Sequence, residues 1–260
     1  MDILYLVGEG SKCDDYELRF SLRSIEKYGV NVGRIFVCGY CPNWLSDEVI
    51  KIPTNAITVI DNNDKNKNIY RDLLYAVKNS DIGINDNGEF LISMDDHFYC
   101  SETDFNNYPF YAKEYTKRKC GYMLPLVFEH GFRCESYQKL LVSTANFLND
   151  RGYSYINFTL HRNMHMNRYI LEEMKELNDE IFSNNEIFIE GAATALNYRY
   201  TKYPFKYEVV KDIKSNNPIA LKQLIDNKVI NCFSTNDFSM FMPIFNFLNT
   251  MYKEKSKYEK

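Results

Sequence analysis

The sequence predicts an α/β fold in which a mostly parallel β-sheet is flanked by helices. Short, continuously apolar runs such as "ILYLV" at 3–7 are typical of strands that are covered on both faces. Up to residue 94 these runs alternate with segments of helical periodicity, such as "YELRFSLRSIEKYG" at 16–29. Because parallel strands need a crossover connection, this alternation favours a parallel sheet.

The first helix is predicted over 16–29. Asp14, with Glu17 three residues later, fits a capping box at its start, and Gly29 fits its end. Three residues at spacings of four and three form its apolar stripe: Leu18, Leu22 and Ile25. The helix therefore follows the first strand as the crossover of a βαβ unit.

The acidic residues Asp95 and Asp96 directly follow the last strand of this alternation. Ligands of open α/β sheets bind outside the carboxyl ends of the strands, so this position is a candidate site. The remaining predicted elements of the first half are strands "RIFVCG" at 34–39, "AITVID" at 56–61 and "EFLISM" at 89–94, and a helix at 68–79.

The second half is less regular, and the whole chain, 1–260, is predicted to form one domain. Within it, 1–100 is the regular half and 101–260 the less regular half. The elements expected in the second half are strands in "GYMLPLVF" and "EIFIEG", a helix at 135–149 and a C-terminal helix at 237–252.

Composition restricts the class of protein. The 260 residues are 45% hydrophobic and 25% charged, as in a soluble globular chain, and no apolar run approaches the length of a membrane span. The net charge of -4 gives no overall basic surface for nucleic acid. Seven cysteines at irregular spacing favour a reduced, cytoplasmic protein.

Paired carboxylates after a strand have a direct chemical use. Mg²⁺ is commonly held by one or two carboxylates together with phosphate oxygens of the substrate. Asp95 and Asp96 would suffice for such a site, whereas the alternative is an acidic turn that is merely solvated.

Several segments together resemble a known enzyme family. "ELRFSLRSIEK", "PNWL", "KNKNIYRDLLYAV" and "SMDDHF" occur in that order, with "CFSTNDF" and "YKEKSKYE" near the C-terminus. In this combination the chain resembles small glycosyltransferases of bacteria and phages with the GT-A fold. It is also similar to the second conserved region of the Stealth sugar-1-phosphate transferases.

The resemblance implies a GT-A-like (Rossmann-like) transferase that uses a nucleotide-sugar donor and Mg²⁺ or Mn²⁺. In such an enzyme 1–100 would be the nucleotide-sugar-binding half and 101–260 the acceptor-side half. The acid pair would act as the metal-binding "DxD" motif, with Asp96 on the metal and Asp95 on the metal or on sugar or ribose hydroxyls. This chain departs from the motif, because its acids are adjacent, His97 follows them, and Met94 stands where relatives often have asparagine.

The loop after the first strand is a candidate for contacts to the nucleotide. Gly8 and Gly10 would let the backbone approach a ligand, and Ser11 lies beside them before the helix N-terminus. The alternative for this segment is a plain tight turn.

Five polar side chains are candidates for binding the donor phosphates. Arg19 and Arg23 lie one turn apart on the first helix, and the second set is near the start of the next helix. The alternative for both sets is a solvated helix face. The second set comprises Lys65, Asn68 and Arg71.

The general base is sought among His97, His161 and Asp237, in that order. The resemblance implies a cleft histidine near "LHRNMHMNR", which His161 matches loosely and His165 less well. A helical His161 and His165 pair could instead bind zinc, although no further ligands complete such a site.

Other functions stay open at this level. Attack at phosphorus, as in a Stealth-like phosphotransferase, would release nucleoside monophosphate, and a noncatalytic nucleotide- or carbohydrate-binding module is also compatible with the motifs. The hydroxyl acceptor is expected to be a glycan or a modified DNA base. Cys38 and Cys41 form C-x-x-C, but the following "PNWL" is not a thioredoxin pattern.

Overall fold

The structure is a computed structural model, and its elements are given below by residue range. For 62–67, 114–115, 156–157 and 209 only the backbone is described. The described residues are 1–8, 14–55, 62–112, 114–115, 146–147, 150–152, 156–157, 162–173, 208–209, 217–235 and 243–260.

Helices and strands alternate in the first part of the chain. The helices are α1 Tyr16–Tyr28, α2 Asn62–Asn79, α3 Arg168–Glu173, α4 Pro218–Asp226 and α5 Ile244–Met251, with a 3-10 turn at Ile84–Asp86. The strands are β1 Ile3–Val7, β2 Gly29–Val30, β3 Ile35–Gly39, β4 Val49–Pro53, β5 Glu89–Ser93, β6 His97–Tyr99, β7 Thr103–Asp104, β8 Tyr111–Ala112, β9 Glu114–Tyr115, β10 Ile156–Asn157, β11 Met164–Asn167, β12 Glu208–Val209 and β13 Cys232–Ser234.

The central sheet has five strands in the order β11-β5-β1-β3-β4. Strand β1 is parallel to both β3 and β5, and β3 is parallel to β4, whereas β11 is antiparallel to β5. The predicted mixed α/β fold with a mostly parallel sheet and flanking helices is therefore confirmed.

The strand order reverses beside β1. From β1 the chain builds outward through β3 and β4, and it then crosses through α2 to place β5 on the other side of β1. The crevice between the carboxyl ends of β1 and β5 is thus a topological switch point, where ligands of open α/β sheets bind.

Both faces of the sheet are covered. Leu4 and Ile92 belong to a buried cluster with α2 and α3, which also includes Tyr70 and Leu171. Alternate residues of the same strands point to the opposite face, where Tyr5 packs with apolar residues of α1. The continuously apolar strands of the sequence reflect this two-sided burial.

Several predicted boundaries differ from the observed ones. Helix α2 begins at Asn62, not at 68, and the strand Val49–Pro53 was not assigned from the sequence. The N-cap of α1 is Asp15, which adopts a left-handed conformation without a side-chain capping bond, so the predicted capping box is wrong.

Other predicted elements lie wholly or almost wholly outside the described residues. These are the strands "AITVID", "GYMLPLVF" and "EIFIEG" and most of the helix at 135–149. Helix α5, Ile244–Met251, falls within the predicted C-terminal helix.

The segment after α5 folds back against the first half of the chain. Residues 252–260, here called the C-terminal strap, bring Glu259 to Arg19 and Arg23 on α1. The main chain of Tyr258 accepts a hydrogen bond from Ser46, and Lys260 donates one to Trp44.

Candidate functional site

The acid pair lies in a short turn between β5 and β6. Asp95 and Asp96 are both partly exposed, and the amide of His97 closes the turn on the carbonyl of Met94 at 3.4 Å. Because β5 borders the switch point, the turn places both carboxylates at the edge where a ligand is expected. The predicted position of the acid pair at this edge is confirmed.

Two buried hydroxyl groups support this turn from below. Ser21 Oγ on α1 donates to the carbonyl of His97 at 2.8 Å, and it lies 2.8 Å from the hydroxyl of Tyr5 on β1. Burial, with a smaller contribution from the nearby Asp95 carboxylate, raises the pKa of Tyr5, which therefore stays protonated. The turn is consequently fixed to both the first strand and the first helix.

His97 is fully buried directly behind the acids. Its Nδ1 lies 3.1 Å from Oδ1 of Asn163. Asn163 directly precedes β11, and Arg162 directly precedes Asn163. An amide oxygen that faces Nδ1 favours the tautomer in which Nδ1 carries the proton. The ring edge also packs against Tyr99, at 4.8 Å between ring centroids.

Three other buried polar atoms border the turn. Ser234 is opposite His97 in the β6–β13 pair, and the amide of Thr235 donates to the carbonyl of Asp96 at 3.2 Å. Ser234 Oγ, Thr235 Oγ1 and Asn163 Nδ2 have no hydrogen-bond partner within the described part of the chain. Buried polar atoms are normally paired, so these three are among the exceptions in the part of the chain that the structure describes.

These three residues were not predicted as site residues. They come from two segments far from the acid pair in sequence, and neither segment has a distinctive spacing that indicates a polar wall. The segment "CFSTNDF" contains Ser234 and Thr235, but its sequence indicates only the family resemblance and no polar wall.

A second polar group lies near the carboxyl ends of β3 and β4. Arg71 on α2 donates to Oδ1 of Asp72 from Nη2 at 3.1 Å and from Nε at 3.3 Å, and Thr54 donates to the same oxygen at 2.9 Å. Asn68, one helical turn earlier, is buried. Arg71 therefore has a carboxylate partner, Asp72, that the sequence did not indicate.

Arg19 and Arg23 are paired with the C-terminal strap. Glu259 accepts hydrogen bonds from Nε and Nη2 of Arg23 at 2.7 and 2.8 Å, and from Nη1 of Arg19 at 3.0 Å. The guanidinium of Arg19 also stacks on Trp44, at 4.0 Å from the ring centroid. The structure thus gives both arginines a role in holding the strap, and their assignment to the donor stays a prediction.

Gly8 follows β1 and is exposed, with open space where a Cβ atom would stand. The surrounding protein therefore does not require glycine there. Its predicted contact with the nucleotide remains a prediction. The other predicted residues that lie outside the described residues, or whose side chains do, are Gly10, Ser11, Lys65, His161 and Asp237.

His165 lies in strand β11, not on a helix. Its Nε2 lies 2.7 Å from the carbonyl of Tyr108, and its ring stacks on Phe110 at 3.7 Å. The helical spacing assumed for a pair with His161 is therefore wrong, and the zinc alternative loses its geometric basis.

The C-x-x-C pair has the environment of structural thiols. Burial raises the pKa of Cys38 to about 12, and the Sγ of Cys38 donates to the carbonyl of Asp72 at 3.2 Å. Burial also raises the pKa of Cys41. Redox and nucleophilic chemistry need thiolates, which this environment disfavours.

The residues available for a metal are the two carboxylates of the turn. Within the described ranges, no three His, Cys, Asp or Glu side chains come together as a potential metal site. Two partly exposed carboxylates fit Mg²⁺ or Mn²⁺ only when phosphate and water supply the remaining oxygens. The turn therefore fits a metal that arrives with, or is completed by, a phosphorylated ligand.

Comparisons with known proteins add no assignment. Neither the models of protein families nor the curated proteins match this chain. None of the helices in the described ranges has the length and apolarity needed to cross a bilayer.

Proposed function

We propose that this protein is a GT-A-like glycosyltransferase, which moves a sugar from a nucleoside diphosphate donor to a hydroxyl acceptor. The observation that supports it best is the position of Asp95 and Asp96 at the topological switch point, beside buried polar atoms that have no partner among the described residues. The family resemblance, which rests on co-occurring segments, points to the same chemistry.

In this proposal Asp96 contacts the metal, and Asp95 contacts the metal or hydroxyl groups of the sugar or ribose. A bound divalent cation would neutralise the charge that accumulates on the departing diphosphate. The tie from Ser21 to the carbonyl of His97 keeps the acid turn in place, so the carboxylates need little reorganisation when the donor binds.

His97 is the preferred general base because it adjoins the acids and its contact with Asn163 favours one tautomer. Asn163 accepts the proton of Nδ1 in a hydrogen bond, which leaves Nε2 to accept a proton from the acceptor hydroxyl. Asn163 is then a positioning residue. His161 and Asp237 remain the other candidates for this role.

The donor phosphates are assigned to the polar residues of α2 and the loop after β1. The N-terminal half of α2 contains Lys65, Asn68 and Arg71. The loop after β1, the strand that borders the switch point, contains Gly8, Gly10 and Ser11. Arg71 would exchange or share its bond to Asp72 when it binds phosphate.

The test is a thermal-shift panel of nucleotide sugars with and without Mn²⁺, followed by a turnover assay with the donor that binds. For the wild type we expect one donor to raise the unfolding midpoint only with metal, because a ligand of the folded state stabilises it. Asp96→Asn should lose this shift and turnover while keeping the midpoint of the free protein.

The matched control is Asp47→Asn, which removes a fully exposed carboxylate from a surface ion pair and should change neither donor binding nor turnover. Release of nucleoside diphosphate supports glycosyl transfer, whereas nucleoside monophosphate would instead identify a phosphotransferase. No shift with any donor would favour a noncatalytic module and contradict the proposal.

A further inference from the structure

Arg162 is a buried cation that has no anionic partner among the described residues. Its side chain lies just before β11, and the residue is only 8% exposed. Nη1 donates one long hydrogen bond, 3.3 Å, to Oδ1 of Asn231, and the guanidinium stacks over Tyr111 at 4.6 Å from the ring centroid. Among the described residues, no carboxylate lies within ion-pair distance of it.

The nearest acid in the strand register does not neutralise it. Glu208 pairs with Tyr111 across strands β12 and β8, but it is exposed and forms no ion pair with Arg162 within the described part of the chain. A guanidinium has five N–H donors in a planar fork, and this one has a single acceptor within the ranges that the structure describes. Its face is covered by Tyr111, so the remaining donors lie along its edge.

A buried, unpaired charge is energetically expensive, and proteins normally pair it or hydrogen-bond it fully. Other buried arginines here obey that rule. Arg168, 9% exposed, donates to the carbonyls of Val77, Ile82 and Ser80. The unused edge of Arg162 is therefore suited to an oxyanion, which a guanidinium binds through two parallel hydrogen bonds.

We infer that Arg162, with Asn231 and Tyr111, forms a binding site for an oxyanion such as phosphate or carboxylate. This site is separate from the acid turn but linked to it, because the next residue, Asn163, contacts His97. The oxyanion is a charged group of the acceptor. That last assignment rests on the proposed function, whereas the anion site itself does not.

The first experiment measures the unfolding midpoint against inorganic phosphate and against acetate, at constant ionic strength set with chloride. Chelator is present and nucleotide sugar absent, so the result does not depend on transferase activity. The wild type should be stabilised by phosphate beyond chloride, and a response to acetate would add carboxylates to the accepted oxyanions.

Arg162→Met should weaken phosphate binding about tenfold or more, since it keeps the side-chain length and removes the fork. Without phosphate it should unfold no earlier than the wild type, because it removes an unpaired buried charge. Arg162→Lys, which keeps the charge, should weaken phosphate binding less, and Arg151→Met, which removes an exposed arginine outside both proposed sites, is the control that should retain it.

Two results would overturn the site: no specific stabilisation of the wild type by either anion, or an unchanged response in Arg162→Met. The acceptor assignment has its own readout once the acceptor is known. Arg162→Met should raise the KM for the acceptor several-fold and leave the KM for the nucleotide sugar unchanged. Equal effects on both would reject that assignment without affecting the anion site.

Discussion

The two edges of the parallel sheet treat their buried polar groups differently. At the amino edge, Asp2 accepts hydrogen bonds from the side chain and amide of Arg34 and from the amide of Gly83. Arg168 is likewise surrounded there by carbonyl acceptors. At the carboxyl edge Arg162 has one acceptor, and the hydroxyls of Ser234 and Thr235 have no partner among the described residues.

The difference concerns only the described residues, in which the side chains of Asp2 and Arg168 have several partners and those of Arg162, Ser234 and Thr235 have one or none. A buried polar group without a partner costs free energy of folding. The proposed ligand would supply partners at the carboxyl edge, which is also the switch point of the sheet.

The largest expected effect in this comparison comes from the two buried arginines. Arg168→Met should lower the free energy of unfolding by about 3 kcal/mol, because two buried carbonyl groups and one partly buried carbonyl group lose their donor. Arg162→Met should not lower it at all in anion-poor buffer. Urea denaturation of both variants measures this contrast, and equal losses would remove the distinction between the edges.

The next effect concerns Glu259, a buried acid with full pairing outside the sheet edges. Glu259→Gln should lower the free energy of unfolding by about 2 kcal/mol, since it keeps the shape but loses the charge that Arg19 and Arg23 bind. Glu254→Gln, an exposed change in the same strap, is the control and should be silent in the same denaturation experiment.

The ion pairs of Glu259 also predict that the free energy of unfolding falls at acid pH. Burial acts to raise the pKa of this carboxyl, but hydrogen bonds from Arg23 and the amide of Ser256 outweigh it and hold the pKa at about 2. A depressed pKa stabilises the fold above the ordinary value of 4.5, and this contribution is lost as the pH falls from 4.5 to about 2. Glu259→Gln should flatten the fall in stability over this range, and an unchanged slope would contradict it.

The smallest effect compares two serines that are both fully buried. Ser24 Oγ donates to the carbonyl of Ser21 at 2.7 Å and accepts from the amide of Tyr99 at 3.1 Å, whereas Ser234 Oγ has no partner within the described residues. Ser24→Ala should cost about 1 kcal/mol of unfolding free energy, because it leaves the Tyr99 amide unpaired. Ser234→Ala should be neutral within about 0.5 kcal/mol.

The turnover assay adds a second readout for these serines. If the carboxyl edge binds the ligand, Ser234→Ala should reduce turnover although it leaves stability unchanged, and Ser24→Ala should show the opposite pattern. Loss of stability in Ser234→Ala would mean that its hydroxyl serves the fold.

Local signals were sufficient for the inner part of the sheet. Strands β1, β3 and β5 are continuous apolar runs, and the turn with Asp95 and Asp96 follows from where β5 ends. Strand β4, "VIKIP", was not predicted because it is an edge strand with a lysine inside it and a proline at its end. The predicted start of α2 was too late in the sequence, because the first turns of this helix contain polar residues without apolar periodicity.

The partners of the acid turn could not be predicted because they depend on contacts between distant segments. His97 and Asn163 are 66 residues apart, and Arg23 and Glu259 are 236 residues apart. A single sequence shows neither pairing, and a lysine- and glutamate-rich tail indicates a solvated segment, not a buried counterion. The position of the acids was thus predictable, and the wall around them was not.

The C-terminal strap has a consequence for the order of folding on the ribosome. Helix α1 is translated well before the carboxylate that neutralises Arg23, which belongs to residue 259. Since the nascent chain emerges from its N-terminal end, the α1 surface that receives the strap stays uncovered until residue 259 has left the ribosome. Contacts of such long sequence separation also slow folding, so we expect α1 to complete its packing late in folding.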